Sequence, residues 1–238
     1  MEKHGILYGI GVGIGDPDMM TLKAVKSIMA SDYICLPRKN KDECRAYQTT
    51  KVAVPEIDEK KILCFDFEMI RDKEALFDRH HSIYDTVKPF LEDGLTVSFL
   101  TIGDPTIYST FSYIAELARK DDIEVRIING VTSFCACAAS LGVSLCDGET
   151  ELHVVSDTNN LDDILRLSGT KVIMKCGRDM PVIREKLIDY VMENSKVGKL
   201  VKIYAVANCG TENEKRFIGV ETIPDEMPYM TTIIVKEC

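Results

Sequence analysis

The stretch Leu95-Thr-Val-Ser-Phe-Leu-Thr-Ile-Gly-Asp-Pro-Thr-Ile-Tyr-Ser-Thr110 constrains the fold more than any other part of the chain. It reads as a buried strand that stops at Gly103 and turns into a helix over 106–119, with Asp104 as N-cap and Pro105 at the first helical position. The device occurs once before, where Tyr8-Gly-Ile-Gly-Val-Gly-Ile-Gly15 runs into Asp16-Pro17 and a helical pattern. Two such corners predict a crevice lined with backbone N–H groups, suited to a ligand carrying carboxylates or phosphates.

Around these corners, strands and helices alternate. Ile6–Ile10, Tyr33–Leu36, Lys61–Phe67, Leu95–Leu100 and Glu124–Ile128 read as strands. Leu22, Val25, Ile28 and Met29 recur at helical spacing, as do Leu76, Ile83, Val87, Phe90 and Leu91 within 72–92. This alternation predicts a mostly parallel sheet with helices on its faces. After Asn129-Gly130 the pattern changes: a small-residue helix over 131–141 is followed by strands near 151–155, 171–175, 200–206 and 230–236 and helices near 161–167 and 180–194. The expectation is an α/β chain of two domains, 1–129 with a mostly parallel sheet and 130–238 with a mixed one.

Composition narrows the functional classes. With 38 acidic and 29 basic residues the chain carries a net charge of −9, which argues against nonspecific nucleic-acid binding. No run approaches the length of a transmembrane helix, and Met1-Glu-Lys-His4 leads into a strand without a signal-peptide pattern, so a cytoplasmic protein is expected. The nine cysteines include no C-x-x-C pair, so they read as free thiols of a reducing compartment. The four histidines form no metal-ligand spacing, and no metal site is expected. His80 and His81 fall on the polar side of their helix and are expected in solvent; Phe111 and Tyr113 are expected in the core. A dinucleotide site is a rival reading of the glycines, with Asp32 as the ribose-binding acid, but glycines at 9, 11, 13 and 15 contain no G-x-G-x-x-G.

Taken in order, Gly11–Ala24, Gly103–Thr110 and Asn129–Phe134 make the chain resemble the tetrapyrrole methylases, the class III S-adenosylmethionine-dependent methyltransferases. Gly103–Tyr113 is most similar to the precorrin-2 and cobalt-factor II C-20 methyltransferases, and Val172–Lys175, Gly210–Glu214 and Pro228–Val235 extend the likeness over the whole chain. The resemblance implies two α/β domains holding a kinked S-adenosylmethionine, a tetrapyrrole substrate and a homodimer. It assigns cofactor contacts to Gly103, Asp104, Pro105, Thr132, Ser133, Met174, Ala205, Thr231 and Thr232. Where the family usually has Gly-Pro-Gly-Asp-Pro, this chain has Gly13-Ile14-Gly15-Asp16-Pro17, which predicts a more mobile loop.

Methylating a meso carbon releases a proton. Asp104 and Tyr108 are the candidate catalytic acceptors nearest the motif; alternatively Asp104 only caps, in which case Asn should replace it with little loss. Substrate carboxylates need cations. Arg38, Lys39, Lys41 and Arg45 follow a strand end and are candidates for a clamp, or else form an ordinary solvated loop; Arg178 and Lys175 are further candidates. The alternatives to a C-20 methyltransferase are another member of the superfamily, acting at a different precorrin position, on a diphthine precursor or on ribosomal RNA, or a non-catalytic carboxylate-binding module.

Overall fold

A computed structural model of the chain describes residues 4–67, 72–156 and 158–237. Met1–Lys3 of the N-terminal reading and the thiol of Cys238 lie outside the described residues. The chain divides into two compact units, Met1–Thr132 and Ser133–Cys238.

In the first unit the strands β1 (Ile6–Gly11), β2 (Tyr33–Leu36), β3 (Lys61–Cys64), β4 (Val97–Thr101) and β5 (Glu124–Ile128) form one sheet in the order β3-β2-β4-β1-β5. Every pairing is parallel, with Leu7 opposite Val97 and Ile10 opposite Leu100. Helices α1 (Leu22–Ala30), α2 (Arg45–Ala53), α3 (Lys73–Glu92) and α4 (Phe111–Lys120) cover its two faces. Ile10, Ile34, Leu36 and Leu100 pack with Ala24, Ile28, Ala46 and Tyr47 of α1 and α2. Leu7, Cys35, Val97 and Phe99, at alternate positions of the same strands, pack with Val87, Leu91, Ile114 and Ala118 of α3 and α4. Burial on both faces is why these strands read as nearly unbroken apolar runs.

The second unit begins with α5 (Ser133–Leu141) and continues through β6 (Leu152–Val155), α6 (Leu161–Leu165), β7 (Thr170–Met174), α7 (Met180–Lys196), β8 (Val201–Ala207), β9 (Lys215–Ile218) and β10 (Thr231–Glu237). The sheet order is β6-β7-β10-β8-β9. Only β6 and β7 run parallel, so the sheet is mixed as expected. Ile173, Ile203, Ala205, Ile233 and Val235 face Leu161, Met180, Ile183 and Leu187 in one apolar core.

Some expectations are corrected. The helix after Gly103 does not start at 106. Asp104 Oδ1 accepts from Thr106 N (2.8 Å) and Thr106 Oγ1 (2.6 Å), closing a local turn, and α4 starts only at Phe111. Asp16 likewise caps a short 3-10 turn, Pro17–Met19, while Thr21 caps α1 through Ala24 N (3.1 Å). Helix α2 has a buried face that includes Thr49 and Thr50, whose hydroxyls donate to the carbonyls of Arg45 (2.9 Å) and Ala46 (2.7 Å). Its apolar periodicity is therefore absent. His80 is buried, only 5% exposed, and stacks on Tyr113 with ring centroids 4.5 Å apart, whereas Tyr113 itself is 49% exposed. Positions 80, 84, 87 and 91 form one stripe of α3, and His80 occupies its first place.

Candidate functional site

Parallel pairing brings the C-terminal ends of all five strands of the first unit to one edge. At that edge β1 and β4 are neighbours, yet the chain leaves β1 for α1 on one face and β4 for α4 on the other. This is a topological switch point, where open α/β sheets form a crevice outside the strand ends. Both Gly-Asp-Pro corners lie there.

The corners are held together by backbone. Gly103 N donates to Gly13 O (2.6 Å), and Val12 N donates to Thr101 O (3.0 Å). A Cβ on Gly11 would lie 2.5 Å from Gly103 O and 2.6 Å from Gly130 N; one on Gly130 would lie 2.3 Å from Gly103 O. Three chain segments thus meet at distances only glycine permits. Gly103 itself has φ 77°, and a Cβ there would meet nothing within 4 Å, so the corner turns a bare Cα towards open space. Ile14 is buried at 3% exposure, so the loop carries an apolar anchor where the family's proline is expected.

Asp104, 6% exposed, is the tie of this corner. Besides Thr106 at Oδ1, its Oδ2 accepts from Asn129 Nδ2 (3.0 Å) and Gly130 N (3.1 Å). Burial pushes the carboxyl up, but these hydrogen bonds outweigh it and hold the group below the usual carboxylate range. A carboxylate so engaged is a weak base. Pro105 beside it is buried. Tyr108 is half exposed and sits at φ 46°, a left-handed conformation that costs a tyrosine about 1–3 kcal/mol and marks the turn as functionally interesting. Thr132 Oγ1 is buried with no hydrogen-bond partner, a polar atom left over for a ligand group.

The basic cluster divides. Lys39 pairs with Asp66 (2.7 Å); Lys41 and Lys51 pair with Asp58 (3.6 and 2.7 Å) and both lie over the Tyr47 ring. The Asp58 carboxyl is held down to about 2, chiefly by Lys51 and the Tyr47 hydroxyl. Arg38, exposed just beyond β2, and Arg45, half-buried at the start of α2, have no ion-pair partner among the described residues.

In the second unit Ser133 opens α5, and Met174 ends β7 opposite Thr232, itself opposite Val206. Thr231 pairs with Ala207 and donates its hydroxyl to Pro228 O (2.6 Å). The Ala205 methyl packs in the apolar core, and its backbone lies opposite Ile233 and Phe217. Arg178 lies over the Tyr229 ring, 5.4 Å from its centroid. A cavity of about 430 Å³ at the end of β8, bordered by Asn208, Asn213, Lys215 and Glu226, had no sequence signal beyond the Gly210–Glu214 likeness. Sequence reading gave Asn129 no contact of its own, only a chain-punctuating place and a part in the Asn129–Phe134 likeness; Asn-Gly closing a strand at the ligand edge was the available signal.

Among the described residues no three His, Cys, Asp or Glu side chains converge as a metal site, and no helix is long and apolar enough to cross a membrane. The eight described cysteines are free.

Known proteins resemble the chain over nearly its whole length. The chain is 38% identical to the probable cobalt-precorrin-2 C(20)-methyltransferase of Methanocaldococcus jannaschii, over 97% of this chain and 95% of that protein. It is 28% identical to the precorrin-2 C(20)-methyltransferase of a Sinorhizobium species, with the same coverages. The crystal structure of uroporphyrin-III C-methyl transferase from Thermus thermophilus, complexed with S-adenyl homocysteine, shares the fold at a TM-score of 0.69 and 17% identity, covering 98% of this chain and 97% of that one. The family model of the tetrapyrrole (corrin/porphyrin) methylases matches residues 6–223, and the chain belongs to that family.

Proposed function

We propose that this protein transfers a methyl group from S-adenosylmethionine to C-20 of a precorrin-2-type macrocycle, and that the macrocycle arrives with cobalt already in its ring. The observation that carries this reading is the 38% identity, along nearly the whole of both chains, to a protein named for that reaction on the cobalt-loaded substrate. The cobalt belongs to the substrate.

When bound, the cofactor supplies an activated methyl group and its own leaving group, so the protein's share is alignment and exclusion of water. Alignment of the reacting atoms is worth roughly 7–11 kcal/mol. Gly103 offers the cofactor an open backbone corner, held in place through Gly13, and Thr132 offers an unused hydroxyl. Pro105, Ser133, Met174, Ala205, Thr231 and Thr232 are the further contacts that the family likeness suggests. Asp104 acts through the corner it ties. Tyr108, half exposed on a strained turn, relays the meso proton to water, its hydroxyl oxygen taking that proton as its own O–H proton is released. Arg38 and Arg45 receive ring carboxylates, with Arg178 and Lys39 as weaker contributors because each already faces a partner. A homodimer is part of the same reading.

The test is incubation with methyl-labelled S-adenosylmethionine and either metal-free or cobalt-loaded substrate, followed by NMR location of the label. Label at C-20 of the cobalt-loaded ring supports the proposal; label at another carbon, or none, overturns it.

A further inference from the structure

We propose that Asn129 is a positioning residue for the methyl-transfer site, tying the second Gly-Asp-Pro corner to the helix that follows the first through its side-chain N–H and its backbone carbonyl. The inference rests on the reading of the crevice as the cofactor site. It stands on three contacts. Asn129 Nδ2 donates to Asp104 Oδ2 (3.0 Å), fixing the second corner from the end of β5. The carbonyl of Asn129 accepts a long hydrogen bond from Thr21 Oγ1 (3.5 Å), the hydroxyl that also caps α1, so the same residue reaches the helix after the first corner. Its neighbour Gly130 donates to the same carboxylate oxygen (3.1 Å) and presses against Gly11 and Gly103. Asn129 is therefore where the ends of β5, β4 and the start of α1 are referred to one another.

The arrangement needs an amide. Asp104 accepts four hydrogen bonds, and all of its partners, Thr106, Asn129 and Gly130, are neutral donors; among the described residues no charged side chain forms an ion pair with it. Aspartate at 129 would keep the shape but set two carboxylates about 3 Å apart, and such a pair shares a proton until well above the usual carboxylate range. A residue that merely fills space would carry no such signature.

The experiment measures S-adenosylmethionine affinity by calorimetry and methyl transfer by labelled cofactor, from pH 5.5 to 8.5, for the parent, Asn129→Ala and Asn129→Asp, each checked by circular dichroism. The parent's affinity is expected to be flat on the acid side. Asn129→Ala should bind the cofactor about tenfold more weakly at every pH, since three of the four donors remain. Asn129→Asp should lose at least as much at pH 8.5 and recover about tenfold as the pH falls and the pair takes up its proton. Affinities for both variants within twofold of the parent, or an Asn129→Asp profile parallel to the parent's, would overturn the positioning role. If Asn129→Asp does not fold, the Asn129→Ala affinity alone decides. Parent protein that binds no cofactor would fail the functional reading itself and end this inference with it, a result distinct from unaltered variants of a binding-competent parent.

Discussion

Replacing Asp104 by asparagine tests whether this carboxylate ties the corner or works on the substrate. An Asn side chain has one acceptor oxygen where Asp104 uses two. The less costly flip points Oδ1 at Asn129 Nδ2 and Gly130 N and lets the new Nδ2 donate to Thr106 Oγ1, which leaves the Thr106 N–H facing a donor. One hydrogen bond is lost, and the three that remain lose their charge assistance. Hydrogen bonds to charged groups contribute about 1.5–3 kcal/mol and neutral ones about 1 kcal/mol, so the net cost is about 3 kcal/mol or more. For a chain of this length that lowers the melting temperature by roughly 6–12 °C. Asp104→Ala, which strands all four donors, should cost more. Because Asp104 is held below its unfolded value, its contribution is full above about pH 4 and fades as the pH falls through the lowered native value, so parent and Asp104→Asn should converge in acid. Melting curves from pH 7 down to pH 3, with turnover measured on the same samples, check this. Asparagine within about 0.5 kcal/mol of the parent would refute the tie. A thousandfold fall in turnover with unchanged melting would make Asp104 the proton acceptor instead.

Other perturbations probe the same account. Gly130→Ala puts a Cβ 2.3 Å from the Gly103 carbonyl, a backbone atom, and should destabilise by about 1–3 kcal/mol and weaken cofactor binding, whereas Gly142→Ala, with nothing within 4 Å, should meet only the strain of its φ of 67°; equal cofactor affinities in calorimetry would show that the three-glycine contact is unimportant. His80 is buried and unpartnered at Nε2, and burial pushes its pKa down, so stability should be full above about pH 6.5 and decline as the pH falls through that unfolded value towards the native one. Urea midpoints at pH 7.5 and 5.0 should differ less in His80→Gln than in the parent, and an equal difference would remove His80 as the cause. Joint reversal of Arg38 and Arg45 to Glu should weaken macrocycle affinity by about tenfold or more, with a smaller loss at high salt; fluorescence titration showing unchanged affinity would return this loop to ordinary solvent-facing chain.

Much of this was legible because burial on two faces and turning at a parallel sheet edge leave strong marks. The apolar runs at Ile34–Leu36 and Val97–Leu100 are strands that helices cover on both sides, and the glycines mark where backbones meet. What escaped lies where local hydrogen bonding competes with periodicity. The Asp104 turn delays α4 to Phe111, and threonine hydroxyls bonded to their own helix let α2 bury a polar face. Strand β9, Lys-Arg-Phe-Ile at the sheet edge, has three of four residues exposed and carries no alternation to read. At the site, glycine spacing pointed to close approach but not to the partners. That Gly11, Gly103 and Gly130 meet, and that Asn129 and Gly130 share one carboxylate oxygen, is a consequence of strand order, which no local pattern encodes. Charge patterning likewise located the basic loop without telling that Lys39 and Lys41 are neutralised by Asp66 and Asp58.

The central claim is that the corner built from Gly103, Asp104 and Gly130 receives the cofactor. Titrating S-adenosylhomocysteine into isotope-labelled protein while following backbone amide resonances tests it most directly. The account predicts saturable shifts led by Gly103, Asp104, Gly130 and Thr132; saturable shifts that leave those four amides unmoved would contradict it.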